Sequence, residues 1–264
     1  MEELSKGTYS GKILNLAAGE GLICCHTSYN NSHFNALRHY HQNTHISFVL
    51  SGACAEKKKS NYERLPGHIT FYHSGEPHQV TGVADCSRHV NIEIESSFFE
   101  RFEITEQQLA SAVKQAPDIK FIMVKMHKEL LLKDQFSALS LESLILSMVA
   151  GQEKSLYFET IPSWAKLVKE YLQENWNIEV TLSQLANITG VHPVTISKYF
   201  PKYFGCNLGT YRRKLKIEHS LSLIKSSDIS LTSMAFECGF ADQSHFIRTF
   251  KEMTGLAPKL YQSL

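Results

Sequence analysis

The chain has 264 residues, of which 27 are Lys or Arg and 26 are Asp or Glu, so its formal net charge at pH 7 is +1. This length predicts two domains, and a hydrophobic content of 43% is enough for two cores. The positive excess from residue 160 onward is only +4, which excludes a polybasic tail. The absence of any run of about eighteen apolar residues excludes a membrane-spanning helix.

The first residues and the cysteines indicate a cytoplasmic protein. The sequence begins Met-Glu-Glu-Leu-Ser-Lys-Gly and has no apolar signal region there. Its six cysteines show no CxxC spacing, and this usage is typical of reduced cytoplasmic thiols rather than a disulfide framework. We therefore expect a cytoplasmic protein with no membrane partner.

Residues 9–96 are predicted to form a β-barrel or sandwich, because short β-prone runs alternate there with turn residues. Gly52, Pro66 and Gly75 are among the residues that separate the runs, at intervals typical of such folds. The clearest runs are 22–24, 45–50, 68–72 and 89–94. We assign residues 1–97 to this domain.

Histidines are the main chemical feature of this domain. On a strand, the even spacing of His39, His41 and His45 would put them on one face, with the first two Cα atoms about 7 Å apart. That separation suits shared coordination of one cation. Two runs resemble the cupin signatures, with His45 where a Glu is usual and His73 where a Pro is usual. Those runs are His39, His41, His45 and Gly52, and then Gly67, His73, Gly75 and His78.

Residues 98–150 are predicted to be helical. Their apolar stripe has members at i, i+3, i+4 and i+7, namely Leu141, Leu144, Ile145 and Met148. The stripe would bury against a partner subunit in a homodimer or, alternatively, against the chain's own barrel. Residues 151–162 are short and mildly polar, and we assign them to a linker.

Residues 181–205 predict a first helix-turn-helix. Thr181 can cap a short helix, Gly190 breaks it, and Pro193 fits the first turn of a second helix. A basic helix follows from residue 208 to 226. The segment from residue 160 onward holds 12 Lys or Arg against 8 Asp or Glu, so the positive excess needed for phosphate contacts lies in this half.

Residues 230–251 repeat the pattern. Ser230 can cap a helix, Gly239 breaks it, and Asp242 can cap a second helix with an apolar back and a polar front. This is how a helix-turn-helix meets a major groove of DNA. The alternative is an ordinary helical hairpin with a solvated polar face, and the presence of two copies argues against it.

The segment 163–262 resembles the AraC/XylS-type bacterial transcription regulators. The C-terminal residues that carry the resemblance are Ala235, Gly239, Phe240, Ser244, Phe246, Phe250, Lys251, Gly255, Pro258 and Tyr261, and those of the middle segment are Tyr211, Lys214, Ile217, Glu218 and Leu223. The resemblance implies an α+β chain. A cupin-like N-terminal β-barrel and dimerisation helices at 98–150 would precede an all-α domain at 163–264, in which a long helix joins two helix-turn-helix units.

Two positions depart from the family pattern. Pro201 falls inside the first recognition helix, where an interior proline costs about 3 kcal/mol. We therefore expect that helix to kink or to stop near Phe200, and the first unit to contribute less specificity than the second. Gln262 follows Tyr261 where the family often has an Arg, so one basic contact is absent.

The resemblance implies a sequence-specific DNA-binding regulator that is not an enzyme and answers to a small-molecule effector. Its implied partners are double-stranded DNA, a second copy of the chain and, for an activator, RNA polymerase. The residues implied to contact DNA are Val194, Thr195, Ser197 and Lys198 in one major groove and Gln243, Ser244, His245 and Arg248 in the next.

The histidines leave several interpretations open. His39, His41, His45 and His78 would bind a divalent transition metal, line an organic-effector pocket, or be satisfied by neighbouring groups. We favour the organic-effector pocket, with no cofactor required. The rival function is a cupin metallo-enzyme, an oxygenase or isomerase, or a metal sensor, fused to a DNA-binding module. Metal content with turnover would identify the enzyme.

Overall fold

The structure is a computed structural model that describes residues 1–30, 37–58, 60–116, 118–156, 161–226 and 229–263, with the backbone alone for 152–156 and 226. The chain divides into two compact units, Met1–Gln152 and Glu153–Leu264. In the described ranges, no helix is both long and apolar enough to cross a membrane.

The first unit begins with strands. They are β1 (Glu2–Leu4), β2 (Lys12–Gly19), β3 (Leu22–Tyr29), β4 (His39–His41), β5 (Thr44–Ser51), β6 (Cys54–Lys57), β7 (Asn61–Arg64), β8 (Ile69–Tyr72), β9 (Gln79–Val83) and β10 (Ser87–Ile94). The four predicted runs are confirmed as β3, β5, β8 and β10. All four lie in one sheet, where burial imposes the strongest pattern on their sequences.

The strands form three sheets. An antiparallel sheet has the order β2-β3-β10-β5-β8, a second has the order β7-β6-β9, and β1 pairs with β4 in parallel. The α+β class is confirmed, but the expected barrel is not closed. Among the described residues these remain separate hydrogen-bonded sheets, and β2 and β8 are the edge strands of the largest one.

The large sheet has one apolar and one polar face. In β10, Val90 and Ile92 point to one side, and His89 and Asn91 alternate with them on the other, since successive side chains of a strand face opposite ways. The register places Ser47 of β5 opposite Asn91, so the polar face continues across the strands. Because these polar residues are also buried, the sheet has a polar interior on that side.

Four helices complete the first unit. They are α1 (Ser96–Arg101), α2 (Glu106–Gln115), α3 (Ile119–Leu132) and α4 (Ser137–Leu156). Leu141, Ile145 and Met148 of α4 are 0–1% exposed within the unit itself, and Leu144 is half-buried. The stripe that we expected at a subunit interface therefore packs inside its own unit. An amphipathic helix hides its apolar face wherever a core is available.

The segment expected to be a linker is partly helical. Helix α4 continues to Leu156, beyond the predicted end of the helical region at residue 150. Residues 157–160 of the expected linker 151–162 lie outside the described residues. The helix passes through Gly151 because an isolated glycine costs a helix only about 1 kcal/mol.

The second unit is all-helical in its described residues. Its helices are α5 (Ser163–Glu174), α6 (Leu182–Thr189), α7 (Pro193–Phe204), α8 (Leu208–Ser226), α9 (Leu231–Glu237), α10 (Gln243–Thr254) and α11 (Pro258–Ser263). The pairs α6–α7 and α9–α10 are the two predicted helix-turn-helix units, and α8 joins them. Both predicted units and the long helix between them are therefore present.

The predicted helix starts are observed. The Thr181 hydroxyl accepts the Gln184 N–H in a capping box, and Ser230 accepts the Ser233 N–H. Asp242 accepts the His245 N–H at 2.8 Å. Each bond satisfies an N–H that has no partner inside its helix. A short polar side chain just before a helically spaced run of apolar residues was sufficient to predict where each of these helices starts.

Helix α7 does not stop near Phe200, one of the two outcomes expected from Pro201, but continues through the proline to Phe204. The rings of Phe200 and Phe204, which precede and follow Pro201 in the sequence, stack on each other with their centroids 4.0 Å apart. Both rings pack against Tyr211 of α8. Gly205 then ends the helix in a left-handed conformation, with its N–H bonded to the Pro201 carbonyl. Aromatic packing outweighs the local cost of the proline.

Candidate functional site

Helix α7 presents a polar front and buries its back. Ile196 and Phe200 are 0–1% exposed in the core of the second unit, and this burial fixes the rotation of the helix. The predicted contact residues Val194, Thr195, Ser197 and Lys198 are all exposed. The first turn of α7 is also stabilised, since His192 Nδ1 accepts the Val194 N–H at 3.3 Å.

Helix α10 repeats this arrangement. Phe246 and Phe250 are fully buried, and Phe250 packs against Tyr261 of α11 at 5.7 Å between ring centroids. Of the predicted contact residues, Ser244, His245 and Arg248 are exposed and Gln243 is half-buried. Both second helices therefore expose the residues expected to contact DNA near their N-terminal ends.

Helix α8 holds both helix-turn-helix units with basic side chains. Arg212 donates to the carbonyl of Ile178 at 2.6 Å and to that of Val180 at 3.4 Å, just before α6. Lys216 donates to the carbonyl of Gly239, in the turn between α9 and α10. Partial burial lowers the pKa of both side chains.

The structural role of Arg212 and Lys216 was not predicted from the sequence. The sequence indicated a basic helix at 208–226 that joins the two helix-turn-helix units, with positive charge suited to phosphate contacts. Two basic residues four positions apart on a helix are equally consistent with contacts to phosphate and with contacts to carbonyl oxygens. Only the tertiary fold shows which groups they reach.

The polar face of the large sheet borders a cavity of about 30 Å³. Its lining includes His39, His41, His45 and His78, together with Arg64 and Tyr72. The structure thus brings all four predicted histidines to one place. Each is 3–6% exposed, so they are buried in the first unit.

Backbone pairing explains how distant histidines meet. The His39 N–H donates to the His78 carbonyl and the His78 N–H donates to the His39 carbonyl, both at 2.9 Å. This bridge joins β4 to the segment that follows β8, and the two rings lie 4.3 Å apart. Because His39 and His78 are far apart in the sequence, no short stretch of sequence predicts the bridge between them.

One geometric prediction for the histidines is wrong. His39 and His41 lie on β4, but His45 lies on β5, and the chain bends between these strands at residues 42 and 43. The three therefore do not share one strand face. The ligand atoms of His39, His41 and His78 all lie within 4.8 Å of one another, and His45 is not part of that group.

His45 is directed to a different partner. Its Nε2 lies 3.2 Å from Asn91 Oδ1, and because that oxygen can only accept, the imidazole donates. Asn91 in turn donates to the Thr27 hydroxyl at 2.8 Å, which fixes the orientation of its amide. The ring of His45 still stacks against Tyr72 at 5.3 Å.

Burial sets the protonation of the cavity. It lowers the pKa of His41 and of His78 to about 3, with the nearby His39 as the second cause. Burial also lowers the pKa of His45 well below its usual range. These three imidazoles are therefore neutral near pH 7, with one lone pair each.

A buried ion pair forms another part of the wall. Arg64 Nη1 donates to Glu56 Oε2 at 3.3 Å and to the Tyr72 hydroxyl at 3.0 Å, while Tyr72 donates to Glu56 at 2.7 Å. Arg64 also donates to the Ser47 carbonyl. This network was not predicted from the sequence. Its members lie on four strands, β5 and β8 of one sheet and β6 and β7 of another, so pairing within each sheet and packing between the two sheets bring them together.

Comparison with known families matches both units. The family described as AraC-like ligand binding domain matches residues 20–149, which contain His39, His41, His45 and His78. The family described as Helix-turn-helix domain matches residues 185–263, which contain α7 and α10.

Individual relatives share about a quarter or less of the aligned residues with this chain. An uncharacterized HTH-type transcriptional regulator of Escherichia coli, YijO, is 26% identical over 95 residues, covering 36% of this chain and 34% of that protein. The bifunctional transcriptional activator/DNA repair enzyme AdaA of Bacillus subtilis is 26% identical over 101 residues, covering 38% of this chain and 48% of that protein. The matched region thus spans a third to a half of these relatives. The solved structure of ToxT from Vibrio cholerae is 15% identical, with 92% of this chain and 98% of that chain covered and a TM-score of 0.37.

Proposed function

The chain belongs to the AraC-type family of transcription regulators, and we propose that it binds double-stranded DNA through α7 and α10 and that an effector bound in the histidine-lined cavity controls this binding. The observation that carries the DNA-binding proposal is the pair of second helices. Each has a stabilised first turn, a buried aromatic back and an exposed polar front.

The exposed residues suit base reading in two major grooves. Val194, Thr195, Ser197 and Lys198 would read the first site, and Gln243, Ser244, His245 and Arg248 the second. An amide side chain suits adenine, and a Lys or Arg suits guanine. The positive excess of the segment from residue 160 onward supports contacts to phosphate as well.

Two features support control by an effector. The match to a ligand-binding family covers the four histidines and most of the other residues that line the cavity. The cavity combines aromatic and aliphatic walls with convergent polar side chains, including four histidines and Arg64, and this combination is typical of a specific ligand site. A homodimer remains a prediction, as does a contact with RNA polymerase should the protein be an activator.

The test is selection of duplexes from a random DNA pool by the full-length protein, followed by binding measurements at several salt concentrations. We expect a preferred sequence with two half-sites and an affinity that falls steeply with salt, because phosphate contacts release counterions. Failure to enrich any sequence, or an affinity that does not respond to salt, would contradict the proposal.

Single variants assign the half-sites. Gln243→Ala should weaken discrimination in one half-site by about 1–3 kcal/mol for each lost base contact, and Lys198→Ala should act on the other. Lys259→Ala, an exposed cation on α11, is the matched control. If Gln243→Ala weakened all sequences equally, that residue would position the protein rather than read a base.

A further inference from the structure

We propose that the effector of the first unit is a divalent transition-metal ion, with Zn²⁺ the best fit, held by the imidazoles of His39, His41 and His78. The regulatory part of this inference rests on the proposed function. The binding site itself rests only on the geometry of these three residues.

The donor atoms are already grouped. One ligand nitrogen from each of the three histidines lies within 4.8 Å of the other two. A tetrahedral zinc ion with Zn–N bonds of about 2.0–2.1 Å holds its nitrogens about 3.3 Å apart. Small side-chain rotations are therefore enough to bring three imidazoles onto one ion.

Backbone carbonyls fix two of the imidazoles in the form that binds metal. His39 Nδ1 lies 3.0 Å from the Leu37 carbonyl, and His78 Nδ1 lies 3.3 Å from the Glu76 carbonyl. Because a carbonyl only accepts, both Nδ1 atoms carry the proton, and each Nε2 keeps its lone pair. Metal-bound histidines almost always donate their other N–H in this way.

His41 lacks a protein partner. It is 4% exposed, and within the described residues its side chain makes no hydrogen bond. Five other rings lie around it, those of Tyr9, His39, His45, Tyr72 and His78. The lone pair of its neutral imidazole is therefore available to a cation.

The cavity has room for an ion. Its volume of about 30 Å³ holds about two water molecules. A single ion and one bound water therefore fit the available space.

The donor chemistry selects the class of metal. Imidazole suits Zn²⁺, Ni²⁺ and Cu²⁺, whereas Mg²⁺ and Ca²⁺ require oxygen ligands. The buried carboxylate of Glu93 is occupied elsewhere, since it accepts from the Gly7 N–H at 2.8 Å and from Asn43 at 2.8 Å. Glu56 is paired with Arg64. Three imidazole nitrogens are thus the available donors.

The test uses untagged, full-length protein, stripped with a chelator and then dialysed against Zn²⁺. We expect close to one ion per chain, a visible absorption spectrum of a nitrogen-coordinated ion when Co²⁺ replaces Zn²⁺, and a higher melting temperature with metal. His41→Ala and His78→Ala should each weaken binding by at least ~100-fold. His68→Gln, which changes an exposed histidine outside the group, should bind as the unaltered protein does.

Folding is controlled by comparing the metal-free melting temperatures of the variants, with His41→Asn and His78→Gln as conservative substitutes should either alanine variant unfold. Metal content near zero for Zn²⁺, Ni²⁺ and Cu²⁺ in the folded protein would overturn the site. So would a His41 variant that retains full affinity, since an ion held elsewhere would then account for the binding.

DNA-binding measurements on the same full-length protein distinguish the metal site from its regulatory role. Addition of Zn²⁺ should change the affinity of the unaltered protein for the selected DNA at least ~10-fold, a typical size for coupling between two sites. It should leave the DNA affinity of the His78→Ala variant unchanged. Stoichiometric Zn²⁺ binding with no change in DNA affinity would overturn the ion as effector. Loss of DNA binding with and without Zn²⁺ would instead contradict the proposed function, and the stoichiometry would still test the site.

Discussion

The Thr232 hydroxyl of α9 donates a hydrogen bond to Gln243 Oε1 at 2.7 Å. This bond joins the first helix of the second helix-turn-helix to the first residue of α10. It restrains the amide of the residue expected to read a base and occupies one of the two acceptor positions on its oxygen. Thr232 is thereby a positioning residue for Gln243.

Thr232→Val should therefore reduce base discrimination at the position that Gln243 reads, by about 1 kcal/mol, because the amide loses its restraint. Thr232→Ser keeps the hydroxyl and should behave like the unaltered protein. The measurement is the ratio of affinities for the selected duplex and its single-base variants. An equal loss of affinity for every sequence would indicate a structural role for Thr232 instead.

Arg212 should contribute to folding rather than to DNA affinity. Arg212→Met removes the donors to the carbonyls of Ile178 and Val180 and should lower the free energy of unfolding by about 1–2 kcal/mol. Arg213→Met is the control, since among the described residues Arg213 donates to Thr210 of its own helix. This variant should change stability by less than about 0.5 kcal/mol. Urea unfolding measures both. A marked change in the salt dependence of DNA binding for the Arg212 variant, at unchanged stability, would make it a phosphate contact.

Two glycines of the second unit should differ sharply in their tolerance of alanine. Gly239 and Gly190 both have left-handed backbone, with φ of 72° and 69°. A Cβ at Gly239 would overlap the carbonyl of Asn177, whereas one at Gly190 would meet nothing within 4 Å. We expect Gly239→Ala to cost about 3 kcal/mol of stability and Gly190→Ala about 1 kcal/mol. Equal losses in chemical denaturation would show that the turn relaxes to accept the methyl group.

Ile145 should stabilise the fold of its own unit. Because its side chain is fully buried within the chain, Ile145→Ala should lower the free energy of unfolding by about 2–4 kcal/mol. Ser147→Ala, at an exposed position of the same helix, should change it by less than about 0.5 kcal/mol. Sedimentation of both variants tests the alternative. If the unaltered protein is a dimer and the Ile145→Ala variant is a well-folded monomer, the stripe would lie at a subunit interface.

Much of the architecture could be predicted from the sequence by local rules. The caps at Thr181, Ser230 and Asp242 and the breaks at Gly190 and Gly239 depend on short stretches of chain, and all are observed. The strands at the centre of the large sheet were also predicted, because burial imposes an apolar pattern on them. Cap chemistry and hydrophobic period act over a few residues, so sequence alone determines them.

The tertiary structure alone decided how distant residues are combined. The cupin resemblance had grouped His39 with His78, but only the tertiary structure shows the backbone bridge between them. It also directed His45 to Asn91 and placed Arg212 on the carbonyls before α6. It also carried α7 through Pro201, against the local cost of a proline. These outcomes depend on strand register and on packing between elements far apart in the chain. Local propensity contains no information about either, because the free energy that selects them arises only when the elements meet.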